Sequence, residues 1–65
     1  MKLWIARDYY GLYLFEQKPY LVKNRMGDSV FRPNGNSYRI ASDLFYKEVT
    51  FENSPQEVEL KLVNQ

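Results

Sequence analysis

The sequence predicts a small, mainly antiparallel β domain, a meander of short strands with at most one short helical turn. Three observations predict it. Alternating runs recur along the chain, as in "KLWIARD", "SYRIA" and "EVELKLV". Turn signals separate them at Gly11, Gly27, Asn34-Gly35 and Pro55. The eleven aromatic residues (one Trp, six Tyr and four Phe) suit a pleated, half-buried surface.

Taken in order, "KLWIARD" at 2–8 alternates and runs into "DYYG". Asp at the first position of such a turn and Gly at the fourth favour a type I turn followed by a G1 bulge at Gly11. The resulting hairpin would place Asp8 opposite Leu12, Arg7 opposite Tyr13, Ala6 opposite Leu14, Ile5 opposite Phe15 and Trp4 opposite Glu16. One face would then carry Trp4, Ala6, Leu12 and Leu14, and the other Leu3, Ile5, Tyr13 and Phe15. Both faces are apolar, which implies that the hairpin is covered on both sides, within the chain or by a partner. Pro19 interrupts the ladder before a strand at about 20–24. A turn around Gly27 leads to "VFR" at 30–32, and Asn34-Gly35 predicts a hairpin into a strand at 37–41.

The segment "SDLFYKE" at 42–48 starts with a candidate cap, Ser42, and supports one helical turn near 42–46. Leu44 and Phe45 are expected to plug an end or a face of the sheet. "EVTF" at 48–51 reads as a strand and "ENSP" at 52–55 as a turn set by Pro55. "EVELKLV" at 57–63 is a strand with Val58, Leu60 and Leu62 on one side and Glu57, Glu59 and Lys61 on the other. The architecture is a strongly bent sheet or a small open barrel resembling the SH3-like type. Its core is expected to include Leu3, Ile5, Leu14, Phe15, Val22, Ile40, Phe51, Val58, Leu60 and Leu62.

At 65 residues the chain is read as one domain, residues 1–65. A domain of this size buries only about 60% of the surface that its unfolded chain exposes. With no cysteine there is neither a disulfide staple nor a thiolate metal site, so packing or association must supply the stability. The short apolar run in "MKLWIARD" is no secretory signal, and no stretch approaches the roughly 20 apolar residues that cross a membrane. A cytoplasmic protein with no membrane partner is the expectation.

The opening "MKLWIARD" and "GLYLF", with the later "EVTFENSP" and "EVEL", resembles a group of small uncharacterised proteins of gut anaerobic bacteria and their mobile elements. The resemblance implies a bacterial cytoplasmic setting near a phage or conjugative element. It carries no function to any residue.

The chain has no histidine, which removes the commonest general base and metal ligand and, with cysteine also missing, the usual nucleophilic dyads and zinc sites. Glu57 and Glu59 share a strand face with Lys61, the pattern of a solvated face rather than of an acid/base pair. A non-enzymatic protein without cofactor or metal is expected. Two readings of its surface remain. In the first, Tyr9, Tyr10, Tyr13 and Tyr20 form a protein-interaction surface for another protein or for a second copy of the chain, because tyrosine buries a large area with few rotors. The alternative is nucleic-acid binding. The formal net charge is +1, yet residues 18–41 hold five cations (Lys18, Lys23, Arg25, Arg32 and Arg39) against Asp28 alone, a net +4. Residues 42–65 hold two cations against five carboxylates, a net −3. Lys23, Arg25, Arg32, Tyr38 and Arg39 are the candidate contacts, interleaving phosphate-holding cations with rings able to stack on bases.

Overall fold

The computed structural model describes residues 2–40, 42 and 44–59. Six strands follow one another along the chain: β1 (Lys2–Asp8), β2 (Gly11–Phe15), β3 (Tyr20–Lys23), β4 (Ser29–Arg32), β5 (Ser37–Arg39) and β6 (Gln56–Glu59). They form a four-stranded sheet in the order β5-β2-β1-β6 and a separate β3-β4 ribbon, with every pair antiparallel. There is no helix among the described residues, and the two sheets do not close into a barrel. The fold is an all-β meander, as the alternation and the turn residues require.

The first hairpin differs from the expected register by one residue. Asp8 pairs with Gly11, Arg7 with Leu12, Ala6 with Tyr13, Ile5 with Leu14 and Trp4 with Phe15. The cause lies in the turn, where Asp8 Oδ1 accepts the Tyr10 amide at 2.9 Å and closes a two-residue Tyr9-Tyr10 connection. Gly11, at φ +133°, enters the ladder as its first residue instead of forming a bulge. Such a slip transfers every β2 side chain to the opposite face. Leu3, Ile5, Leu12 and Leu14 therefore share an aliphatic face, and Trp4, Ala6, Tyr13 and Phe15 share the other. The sorting is cleaner than the expected one.

Both faces are covered, as their composition implied. On the aliphatic face, Val49 packs with Ile5 and Leu12, and Leu14, Ile40 and Val58 surround them. The loop that carries Val49 is held by Arg7. Its Nε donates to the Val49 carbonyl at 2.7 Å, and its Nη2 donates to the carbonyls of Phe45 (3.0 Å) and Tyr46 (3.2 Å). The Arg7 backbone amide donates to Ser54 Oγ at 3.0 Å. Within the loop, Thr50 and Asn53 exchange side chain to backbone hydrogen bonds, and Asn53 Nδ2 donates to the Glu48 carbonyl at 2.8 Å. These bonds explain why 48–51 is not the expected strand. The carbonyls of Glu48 and Val49 are taken by side chains and have no ladder to join.

The segment before it is a turn rather than a helix, with the Leu44 amide bonded to Ser42 Oγ and the Phe45 amide to the Ser42 carbonyl, each at 3.2 Å. Ser42 holds this turn and, with no helix to start among the described residues, is not the expected helix cap. Leu44 and Phe45, however, point outward instead of plugging the sheet, because Arg7 draws the backbone carbonyls of the loop inward; Leu44 is 72% exposed. The turn expected at 52–55 is present, with the Ser54 amide bonded to the Phe51 carbonyl and a cis Ser54-Pro55 peptide.

On the other face, Ala6 and Phe15 are buried, Phe15 to 2% exposure, and β4 of the ribbon packs against β1 with Val30 also buried. Lys18 sets its ammonium 5.4 Å from the Trp4 ring centroid, within cation–π range. The Asn34-Gly35 turn does not form the expected hairpin: β4 pairs with β3 and β5 with β2, so the turn carries the chain from the ribbon to the main sheet. Glu16 secures its far side, its amide donating to the Asn36 carbonyl at 3.1 Å.

Of the expected core, Leu3, Ile5 and Phe15 are buried and Leu14, Val22, Ile40 and Val58 half-buried. Phe51 is 39% exposed, because it lies in the turn and leans on Phe31 with ring centroids 5.8 Å apart. Leu60 and Leu62 lie outside the described residues. Leu12, Ala6, Val30 and Val49 are buried beside them. Truncating Phe15 to Ala is expected to cost about 3–5 kcal/mol, read as a lower urea midpoint, a large share of the stability of so small a domain.

Candidate binding groove

The tips of the two hairpins are tied together by their own turn residues. Asn24, at the end of β3, organises the β3-β4 turn: its Oδ1 accepts the amides of Met26 (2.9 Å) and Asp28 (3.0 Å), and its carbonyl accepts that of Gly27 (3.0 Å). Gly27 sits at φ +85°, in the left-handed region that a side chain would strain. The remaining Asn24 donor, Nδ2, reaches Tyr10 Oη at 3.0 Å in the β1-β2 turn. Beside it, Asp8 Oδ2 accepts the Phe31 amide of β4 at 3.1 Å. One carboxylate thus closes its own turn and fastens the ribbon to the main sheet.

Between these layers runs a groove of about 720 Å³. Tyr13 and Ser37 contribute to its main-sheet wall over the buried Phe15, while Val30 and Phe31 of β4 stand on the ribbon side. The ribbon also brings Lys23, Arg25 and Arg32 to the lining, against a single acidic residue among the described ones, Asp8. Both Asp8 oxygens accept backbone amides, and the three cations outnumber its one negative charge in the groove. Arg39 adds a fourth positive charge at the margin, its guanidinium carbon 6.0 Å from the Tyr13 ring centroid.

The structure sorts the residues that the sequence singled out. Of the nucleic-acid set, Lys23, Arg25 and Arg32 line the groove, and Arg39 sits over one of its rings. Tyr38 does not join them. It pairs with Leu14 and so faces the aliphatic side, where its hydroxyl donates to Glu16 Oε2 at 2.7 Å. That hydrogen bond, then the carboxylate charge and some desolvation, raise the Tyr38 phenol above its ordinary value of 10.0.

The tyrosine set does not form one patch. Tyr10 and Tyr13 belong to the groove. Tyr9 is 82% exposed and meets Tyr10 edge to face at 5.5 Å, whereas Tyr20 lies on β3 opposite Arg32. Tyr10, expected to be a surface residue, is also structural through Asn24.

Sequence reasoning missed Asp8 and Asn24 as parts of the groove. Asn24 had a local signal, an Asn three residues before a Gly in a polar turn, a frequent Asx-turn arrangement. The Asp8–Phe31 contact had none, because its partners are 23 residues apart. No family model, curated protein or solved structure matches this chain.

Replacing Asp8 with Ala removes a charged acceptor from two amides. About 1.5–3 kcal/mol of stability should be lost per hydrogen bond to a charged group, and hydrogen exchange at the Phe31 amide should accelerate. Unchanged Phe31 exchange would show that the ribbon is held elsewhere.

Proposed function

We propose that the protein is a non-enzymatic binding module that holds nucleic acid by its phosphates in the groove between the ribbon and the main sheet. The observation that carries this reading is the gathering of Lys23, Arg25 and Arg32 in one concave surface where Asp8 is the one carboxylate among the described residues. Cations held at the rim of a low-dielectric cleft focus their field on a polyanion and release its counterions on binding. The acidic residues that keep the net charge at +1 lie mostly in the last third of the chain, where no described residue lines the groove.

A triple replacement, Lys23→Gln with Arg25→Gln and Arg32→Gln, should weaken binding of a labelled oligonucleotide. It should also reduce the slope of log K against log salt by about 2, the loss of roughly 0.7 per single-strand phosphate contact. Affinity that does not respond to salt would exclude the reading.

A second reading, association with another protein or a second copy of the chain, is favoured by a different observation. Leu44, Phe45 and Tyr46 are consecutive, large and exposed, and Tyr46 stands at φ +53°, a conformation that a bulky residue adopts only under constraint. Arg7 supplies part of that constraint by bonding the Phe45 and Tyr46 carbonyls. On this reading the solution mass rises with concentration and Phe45→Ser abolishes the rise; a monomer at every dilution would remove self-association.

A further inference from the structure

The groove is chemically two-sided. Its ribbon wall brings Lys23, Arg25 and Arg32, whereas its main-sheet wall presents the ring of Tyr13 over the buried Phe15. A double helix turns only its phosphates outward and keeps its base faces stacked, so it has nothing to offer a ring in a cleft. An unpaired strand exposes phosphates along one side and base faces along the other, and aromatic side chains bind those faces with little regard to sequence. The volume of about 720 Å³ lies in the range of pockets that enclose one drug-sized ligand, the scale of a nucleotide rather than of a duplex.

Resting on the nucleic-acid reading above, we infer that the groove takes single-stranded nucleic acid, with a base stacked on Tyr13 and the adjacent phosphates held by Lys23, Arg25 and Arg32. Tyr13 is suited to be the platform. Its strand, β2, is paired on both sides, with β1 and with β5, so the ring is carried by an interior strand of the sheet. It is half-buried, backed by Phe15 at a centroid distance of 6.3 Å, and leaves part of its surface on the groove. The Arg39 guanidinium, 6.0 Å from the ring centroid, brings positive charge beside the same ring. The two fasteners, Asp8 to Phe31 and Asn24 to Tyr10, hold the walls at a fixed separation before any ligand arrives.

The test measures anisotropy of a labelled single-stranded oligonucleotide with the full chain. The competitors are the duplex of the same sequence and inorganic polyphosphate, a phosphate chain without bases. The single strand should bind more tightly than the duplex and resist polyphosphate at equal phosphate concentration. Tyr13→Ala should weaken single-strand binding roughly five- to a hundred-fold, the effect of losing one stacked base, with the salt slope unchanged. Tyr13→Phe, which keeps the ring and the packing, should retain the affinity and guards against misreading a folding defect in the Ala variant.

Duplex or polyphosphate binding as tightly as the single strand, or a Tyr13→Phe protein that folds but binds as weakly as Tyr13→Ala, would overturn the stacking inference while leaving the phosphate-binding groove in place. Failure of all three ligands to bind would remove both.

Discussion

Two consecutive residues at the end of β1 hold this structure together. Side chains alternate along a strand, so Arg7 and Asp8 necessarily face opposite sides of the main sheet. Each reaches across to the layer on its own side and bonds its backbone. Arg7 takes the carbonyls of Phe45, Tyr46 and Val49 on the aliphatic side, and Asp8 takes the amide of Phe31 on the other. The choice of sign follows from the chemistry: a guanidinium only donates and so gathers carbonyls, whereas a carboxylate only accepts and so gathers amides.

This arrangement answers the difficulty of a 65-residue chain without cysteine. Apolar burial alone is limited at this size, and irregular segments expose carbonyls and amides that need partners. Hydrogen bonds between charged side chains and backbone are stronger than neutral ones, and they satisfy those groups while fixing Val49 against Ile5 and Leu12. The exposed Lys2–Glu57 pair, 3.6 Å apart across the β1-β6 edge, contributes little by comparison.

The candidate groove is a consequence of the same design. The β3-β4 ribbon hydrogen-bonds to the main sheet through Asp8, at Phe31 within β4, and through Asn24, at its turn, rather than through a shared ladder. A space remains between the ribbon and the ring of Tyr13, and the cations of the ribbon line it. Stability and binding therefore depend on neighbouring atoms. Tyr10 shows the overlap most directly, since its ring lines the groove while its hydroxyl accepts from Asn24.

Much of the fold was legible in the chain. The alternation of "KLWIARD" and "EVEL", the turn at Gly27 and the paired apolar faces of the first hairpin each correspond to observed elements, because strand period and turn chemistry are local properties. The basic character of residues 18–41 was equally visible, and three of its five candidate contacts line one groove. What went astray was non-local. Asn34-Gly35 has the local chemistry of a hairpin, yet which strands it joins depends on β5 finding the free edge of β2. The segment 48–51 has strand composition, yet Arg7, more than 40 residues away along the chain, claims its carbonyl. The sequence by itself determined an all-β chain with two buried sheet faces and a basic middle. Tertiary structure decided the sheet to which each strand belongs and the meeting of Tyr13 with Lys23, Arg25 and Arg32, because those outcomes rest on contacts between residues that only folding brings together.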